Sequence, residues 1–165
     1  MGMDKADMVY GQHPQWRALE EMLRPMCVEI FWSCTPAQQL RWGIGARAIL
    51  DAVPGHGPAS GLHAAFNMSP FAWLVVGCDY PFLETRDVQS VLQARDPAAD
   101  AVVFLDEHKN EIEPLIALWE PVAQAQFLVA FARGEFSPRR ILRSCALKMI
   151  VPRDRSILCN RNTPR

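Results

Sequence analysis

Short apolar runs alternate with amphipathic stretches along the chain, and Pro and Gly residues separate them. An apolar run bounded by turn residues predicts a strand, whereas apolar residues spaced three and four apart predict a helix. The predicted strands are 28–33, 48–50, 72–78, 101–105, 115–119 and 147–151. The predicted helices are 14–24, 35–40, 59–67, 85–95, 122–133 and a short one from 137. Strands that alternate with helices favour a layered α/β fold with a mostly parallel sheet.

Several residues in this pattern predict where elements begin or how they are buried. Thr35 and Thr85 precede helical patterns and are expected to be N-caps, and Ser137-Pro138 opens a short helix. The continuous apolar run 72–78 is typical of a strand that is buried on both faces in a parallel sheet. Glu113 stands before the 115–119 strand, either as ordinary strand entry or at the rim of a crevice.

Composition places the chain among ordinary globular domains. Its 165 residues suit one domain with one core, and half of them are apolar. Seventeen Lys and Arg against eighteen Asp and Glu give a net charge of −1, so no excess charge favours nucleic acid or an anionic membrane. The apolar runs fall far short of the ~20 residues of a membrane span, and the start lacks a signal-peptide pattern. We expect a cytoplasmic protein.

The cysteines and histidines do not indicate a disulfide framework or a zinc site. Five cysteines is an odd number, and none of them forms a CxxC pair. The four histidines show no HxxxH spacing. Reduced thiols in a cytosolic protein are therefore the expectation.

Two aspartates stand directly after predicted strands. Asp51 follows strand 48–50 and Asp79 follows strand 72–78. In open α/β sheets the ligand crevice lies at the carboxyl ends of the strands. An acid in that place can share a hard cation such as magnesium with phosphate oxygens. The alternative for Asp79 is that its side chain only caps the turn that follows.

Three other segments offer groups for an anion or a polar ligand, each with an ordinary alternative. The stretch 57–61 is a glycine-bearing loop that enters a helix, where free amides can hold a phosphate, or it is a plain loop. Lys5 can supply a point charge to a phosphate or can be a solvated surface residue. Asn160 and Asn162 put two side-chain amides on one side of an extended segment, or belong to a polar tail.

Four of these segments occur together in an order that resembles a known family. They are MGMDKA at 1–6, GPASGL at 57–62, WLVVGCDYPFL at 73–83 and NRNTP at 160–164. The molybdenum cofactor guanylyltransferase family is similar, with MGxDK, GPLAGI, a strand ending in CDxPF, and NxNTP. CDxPF and NxNTP together are fairly specific, whereas MGxDK also occurs in related nucleotidyltransferases. The resemblance spans essentially the whole chain.

The resemblance implies a three-layer, Rossmann-like nucleotidyltransferase that needs magnesium. Its reaction would join GTP and molybdopterin, which for most members carries molybdenum, into the guanine dinucleotide cofactor and pyrophosphate. Lys5 would contact the nucleotide phosphates, Asp79 would bind magnesium, and Asp51 and Gly57 would contact the nucleotide. The pterin would face the two amides of the NxNTP motif, Asn160 and Asn162. Transient contact with other molybdenum cofactor proteins is also expected. Ser33 stands near a polar nucleotide contact of the family, with a loose alignment.

The chain departs from the family at its start and within one loop. In the family a strand and a glycine-rich LAGGxSxR loop precede MGxDK, whereas here Met1 stands at that methionine. Two alternatives follow: the start is assigned too late and the protein is longer, or this is a shortened homologue with impaired nucleotide binding. For residues 1–165 as written we expect a single domain without the first strand and with unpaired sheet edges. Such a domain should be poorly soluble, self-associate or bind GTP weakly. Ala59-Ser60 replaces the usual Leu-Ala.

Because the base-reading loop is absent, other functions stay open. A cytidylyltransferase, or a nucleotidyltransferase for another phosphorylated acceptor, would use the same motifs. A non-catalytic homologue that binds nucleotide or pterin is the alternative outside enzymes.

Overall fold

The computed structural model describes residues 5–9, 12–51 and 53–159, with the backbone alone for Lys5. Its strands are β1 Trp32–Cys34, β2 Ala48–Leu50, β3 Trp73–Val76, β4 Ala101–Asp106, β5 Glu111–Trp119 and β6 Leu147–Ile150. Its α-helices are α1 Gln15–Leu23, α2 Pro36–Trp42, α3 Pro58–Phe66, α4 Thr85–Gln93, α5 Pro121–Ala132 and α6 Pro138–Leu142. Short 3₁₀ helices lie at Lys5–Asp7, Gly45–Arg47 and Arg155–Leu158.

The described strands form two sheets. β1 and β2 pair in parallel, and the larger sheet has the order β3-β5-β4-β6. β5 is antiparallel to both β3 and β4, and β6 is parallel to β4. β3, β4 and β6 therefore share one direction and β5 alone opposes them, so the expected mixed but mostly parallel α/β fold is confirmed.

The small sheet lies next to β3 of the large one. Phe31, just before β1, packs its ring 5.7 Å from that of Trp73 at the start of β3. Cys34, the last residue of β1, and Cys78, two residues after β3, belong to one apolar cluster. The two strands thus run side by side in one direction. Within the described residues each has a hydrogen-bonded neighbour on one side only.

Helices cover both faces of the larger sheet, which gives three layers. Alternate residues of β4 point to opposite faces, as the pleat of a strand requires. Ala101 and Val103 pack in the cluster shared with α3, α5 and α6, whereas Val102 and Phe104 pack with α1 and α4. Trp119 and Phe127 are fully buried in the first layer. The sheet is thereby a rigid base for the loops at the ends of its strands.

The helix starts were predicted well except at one cap. Thr35 is the N-cap of α2 and accepts a hydrogen bond from the Gln38 amide, 3.2 Å long. Ser137 caps α6 in the same way. Thr85 was wrongly predicted as the N-cap of α4, because Glu84 holds that position and Thr85 is the first helical residue. The Asp87 side chain accepts from the Glu84 amide, which completes a capping box one residue earlier than expected.

The predicted bounds of three strands need correction. β1 begins at Trp32 rather than Val28, whose side chain is fully exposed and has nothing to pack against. β3 spans Trp73–Val76 rather than 72–78, and it is half-buried along its length rather than buried on both faces. β5 begins at Glu111, four residues before the predicted start.

Pro114 explains the longer β5. Proline lacks the amide that a central strand needs, so a strand interior usually excludes it. Here the register between β4 and β5 shifts between Val103 and Phe104, which pair with Ala117 and Glu113. The irregularity leaves Pro114 outside the regular ladder, so the strand continues through it.

Candidate functional site

Asp79 lies in a tight turn directly after β3. The last bond of the strand ladder joins the Gly77 amide to the Leu115 carbonyl, 2.7 Å away. Beyond it the chain folds back over Gly77: a Cβ at that position would lie 3.0 Å from Asp79 Oδ1 and 2.8 Å from the Tyr80 ring. Gly77 therefore lets the carboxylate and the phenol ring both pack against the backbone at the strand end.

Asp51 lies directly after β2, next to Ser33 of β1 and Gly61 of α3. A Cβ added to Gly61 would overlap Ser33 Oγ and lie 3.8 Å from Asp51 Oδ1. Partial burial raises the pKa of the Asp51 carboxyl. Burial, and then the charge of Asp51, raise the pKa of the neighbouring Cys34 thiol. The three residues thus bring the ends of two strands against one helix.

The loop before α3 contains two residues in the left-handed region and one aromatic anchor. Gly55 and Gly57 have φ of 100° and 56°, values that favour glycine. Between them the His56 ring stacks on Phe136 at 3.7 Å and lies edge-on to Phe131 at 5.7 Å. The His56 amide donates to the hydroxyl of Ser60, which is fully buried. Ser60, which stands where the family motif usually has alanine, therefore holds this loop against the start of α3 through a hydrogen bond.

Lys5 lies in a 3₁₀ helix whose next two residues are held firmly. Ala6 is buried, and Asp7 accepts hydrogen bonds from Arg41 and from Trp42 Nε1, the latter 2.6 Å long. Trp42 stacks on Trp16, with ring centroids 5.2 Å apart. The Lys5 backbone is thus fixed next to α1 and α2.

One apolar cluster connects these segments. Ala6, Trp16, Cys34 and Ile44 form its buried part, and Cys78 packs against it. The structure therefore brings the Lys5 segment, the end of β1 and the residue before Asp79 together. Asp51 lies in the same region, since its charge, after burial, helps to raise the pKa of the Cys34 thiol. Gly57 lies four residues before Gly61, at the start of α3.

The predicted pterin contacts, Asn160 and Asn162, lie outside the described residues. The described residues just before them include the 3₁₀ helix Arg155–Leu158. Its Ile157 is buried in the apolar cluster that packs on the Val102 and Phe104 face of β4. Arg155 makes two hydrogen bonds, of 3.0 and 3.2 Å, to the carboxylate of Asp106 at the end of β4.

The described residues contain no group of three or more His, Cys, Asp or Glu side chains placed to hold a metal ion. Magnesium does not need such a group, since it is usually bound by one or two carboxylates together with substrate phosphates and water. Asp79, in the turn after β3, is a carboxylate of the type that magnesium prefers. The residues present therefore fit magnesium held jointly with a phosphorylated substrate.

Two features of the site were missed from the sequence. The contact of Ser33 with Gly61 joins residues 28 positions apart. Burial, and then the charge of Glu113, raise the pKa of the Tyr80 phenol, 33 positions before that glutamate. The glycine inside the helical pattern 59–67 was the available signal for the first. Pro114 beside Glu113 was the signal for the second, because proline in a strand marks a bulge.

Comparisons of sequence and fold with known proteins point to one family. Residues 1–149 match the family model described as the MobA-like NTP transferase domain. The chain is 26% identical over 167 residues to a molybdenum cofactor biosynthesis bifunctional protein of Synechocystis, covering 99% of this chain and 48% of that protein. It is 25% identical over 166 residues to a molybdenum cofactor guanylyltransferase of Pseudomonas fluorescens, covering 99% of this chain and 82% of that one.

A solved structure has the same fold. Molybdopterin-guanine dinucleotide biosynthesis protein A from Archaeoglobus fulgidus superposes with a TM-score of 0.75 at 20% identity, over 99% of this chain and 86% of that one. The chain spans about half the length of two curated relatives that it matches, 48% and 57%. None of the helices in the described ranges is long and apolar enough to cross a membrane. The family model covers most of the sequence, and the chain therefore belongs to the MobA-like NTP transferase domain family, a family of nucleotidyltransferases.

Proposed function

We propose that the chain transfers GMP from GTP to molybdopterin, forming the guanine dinucleotide cofactor and pyrophosphate. The observation that carries the proposal is Asp79, a carboxylate at the end of β3 within the CDYPF segment, in the region where Asp51 and the Lys5 segment also lie. The names of the relatives point to the same reaction. Molybdopterin, with or without bound molybdenum, is the acceptor in this proposal.

Each candidate residue has a role that its chemistry supports. Asp79 holds magnesium, and Lys5 contacts the nucleotide phosphates as a compact positive charge. Asp51 and Gly57 contact the nucleotide, Gly57 through a backbone that a side chain would restrict. Asn160 and Asn162 contact the pterin with side-chain amides.

The reaction is an in-line displacement at phosphorus. A phosphate oxygen of molybdopterin attacks the α-phosphorus of GTP, and the bond from that phosphorus to the oxygen bridging the α- and β-phosphates breaks, which releases pyrophosphate. Magnesium, when bound, neutralises phosphate charge and aligns the leaving group. The chain's own residues bind, orient and neutralise, so no covalent nucleophile is required. A histidine or cysteine near the phosphates is therefore not needed.

The test is a turnover assay with molybdopterin, magnesium and one nucleoside triphosphate at a time. GTP should give pyrophosphate and the guanine dinucleotide in equal amounts, and Asp79→Asn should abolish both. Product from CTP in place of GTP would make the chain a cytidylyltransferase. Nucleotide binding without product, from any triphosphate, would support the non-catalytic alternative.

A further inference from the structure

The 3₁₀ helix Lys5–Asp7 is a single turn with the proposed phosphate contact as its first residue. Short 3₁₀ pieces have poorer hydrogen-bond geometry than an α-helix, so one turn has little stability of its own. Its orientation therefore depends on what its side chains contact. The last residue of the turn, Asp7, makes the contacts that matter here.

The carboxylate of Asp7 binds two consecutive residues of α2, one with each oxygen. Trp42 Nε1 donates to Asp7 Oδ1 at 2.6 Å, and Arg41 Nη2 donates to Asp7 Oδ2. The Asp7 side chain is 26% exposed and that of Arg41 is 50% exposed. Two donors on two oxygens fix the plane of the carboxylate, and hydrogen bonds to a charged acceptor are the stronger ones. The end of the turn is thus tied to α2 in direction as well as in position.

α2 is a firm support for this tie. A capping box formed by Thr35 and Gln38 begins the helix, and Gly43, in the left-handed region, ends it. Its last residue, Trp42, stacks on the buried Trp16 of α1, with ring centroids 5.2 Å apart and ring planes inclined by 22°. Contacts within the chain therefore set the position of the two donors.

Packing alone does not require an acid at position 7. Ala6 and Met8, on either side of Asp7, are each 4% exposed, so apolar contacts already hold the backbone. Apolar contacts are not directional, and they fix the place of a segment better than its rotation. A partly buried carboxylate also loses hydration that an apolar side chain would not need. Orientation of the turn explains the acid better than stability does.

We infer that Asp7 is a positioning residue, which acts through Trp42 and Arg41 to orient the turn that begins at Lys5. Asp7 does not contact the nucleotide in this account and is not catalytic. The inference rests on the proposed function, in which Lys5 contacts the nucleotide phosphates. Losing a hydrogen bond to a charged group should weaken the dependent binding of GTP roughly three- to tenfold.

The expected effect has the opposite sign to that of the charge alone. GTP is an anion, so removing the negative charge of Asp7 would by itself strengthen GTP binding. A positioning residue predicts weaker binding in spite of this gain. Trp42→Phe removes one donor without changing any charge, and it keeps an aromatic ring to stack on Trp16. The tie and the charge can therefore be tested separately.

The test is calorimetry of GTP binding in the presence of magnesium, which needs neither the acceptor nor turnover. The variants are Asp7→Ala, Asp7→Asn and Trp42→Phe, each made in the parent and in a Lys5→Ala background. Thermal unfolding shows which variants are folded. If Asp7→Ala does not fold, Asp7→Asn and Trp42→Phe make the same test.

Two control variants remove similar groups elsewhere. Glu135→Ala matches Asp7→Ala, because the Glu135 side chain is 29% exposed and accepts from Arg140 at 2.8 Å. Trp73→Phe matches Trp42→Phe, because Trp73 Nε1 donates to the Ser69 carbonyl at 3.4 Å. Trp73 is the first residue of β3, at the opposite end of the strand from Asp79.

We expect Asp7→Ala and Trp42→Phe each to bind GTP roughly three- to tenfold more weakly than the parent, and both controls to stay within about twofold. Asp7→Asn keeps an oxygen for the Trp42 indole and should fall between the parent and Asp7→Ala. Lys5→Ala should weaken binding at least as much as either variant. In that background neither should weaken it further, because the tie acts through Lys5.

The outcomes separate the inference from the proposed function. If Asp7→Ala and Trp42→Phe bind GTP as tightly as the parent or more tightly, the positioning role alone is overturned. Losses of equal size in the parent and in the Lys5→Ala background would also overturn it, since a merely structural effect adds to the loss of Lys5. A parent that does not bind GTP, or a Lys5→Ala variant that binds as the parent does, would overturn the proposed role of Lys5, and that of Asp7 would fall with it.

Discussion

The hydroxyl of Ser33 occupies the place that a Cβ on Gly61 would take, so β1 and α3 pack closely only because residue 61 has no side chain. This contact brings Asp51 to the same place, 3.8 Å from the position of a Cβ on Gly61. The glycine of the GPASGL segment is therefore required for packing between a strand and a helix, in addition to any effect on the loop before it.

Gly61→Ala should destabilise the protein. The added methyl overlaps Ser33, and overpacking costs about 1–3 kcal/mol. Alanine in a helix gains about 1 kcal/mol over glycine, so a net loss of up to about 2 kcal/mol is expected. Urea unfolding measures it. In a Ser33→Gly background the same substitution should be neutral or stabilising, and an equal loss in both backgrounds would contradict the contact.

Asp79→Asn should lower magnesium-dependent turnover by a factor on the order of 10² or more, because the shape is kept and the charge is lost. The unfolding midpoint should be nearly unchanged. Asp96→Asn is a suitable control, since Asp96 is in a loop and accepts from the Ala98 amide. Turnover within about threefold of the parent would remove Asp79 from the proposed metal site.

His56→Ala should loosen the loop that contains Gly57. The lost ring contacts are worth about 0.5–1.5 kcal/mol, so KM for the nucleotide should rise roughly two- to tenfold, with kcat affected less. His56→Phe should restore most of the effect by stacking on Phe136. His108→Ala serves as a control at an exposed position. A fall in kcat without any change in KM would show that the ring does more than hold the loop.

The Asp106–Arg155 pair should make stability depend on pH. Although burial opposes it, hydrogen bonds from Arg155 and from the amides of Lys109 and His108 lower the pKa of Asp106. A lowered folded-state pKa contributes stability above the unfolded-state value of about 3.9 and loses it as pH falls through the folded-state pKa. Urea unfolding at pH 7 and near pH 3 should show a smaller difference for Asp106→Asn than for the parent. Equal differences would contradict the pair's contribution.

The sequence predicted the elements better than the contacts between them. The strand 48–50 and the Thr35 cap were predicted correctly, because each depends on neighbouring residues. The start of β1 was wrong, because an apolar run cannot show that Val28 has nothing to pack against. The start of β5 was wrong because Pro114 is compatible with a strand only through a bulge that β4 helps to form.

The candidate site likewise has some features that the sequence shows and others that depend on contacts between distant residues. Asp51 and Asp79 were identified because they follow apolar runs, which a pattern shows directly. The effect of Glu113 on the Tyr80 pKa depends on how β5 lies against β3, and a pattern of apolar positions does not give the register between two strands. The stacking of His56 on Phe136 depends on where α5 ends relative to a distant loop. The roles of all the candidate site residues stay predictions: Lys5, Asp51, Gly57, Asp79, Asn160 and Asn162.

The tryptophan cluster described beside Lys5 has a practical consequence. Trp16, Trp32 and Trp42 lie with their ring centroids 5.2 to 6.2 Å apart, and they are three of the five tryptophans in the chain. Asp7 is bonded to one of these indoles, two residues after Lys5. Any movement of that segment changes the surroundings of the cluster, and indole emission responds to its surroundings. The protein thus contains an intrinsic optical probe of the segment proposed to meet the phosphates.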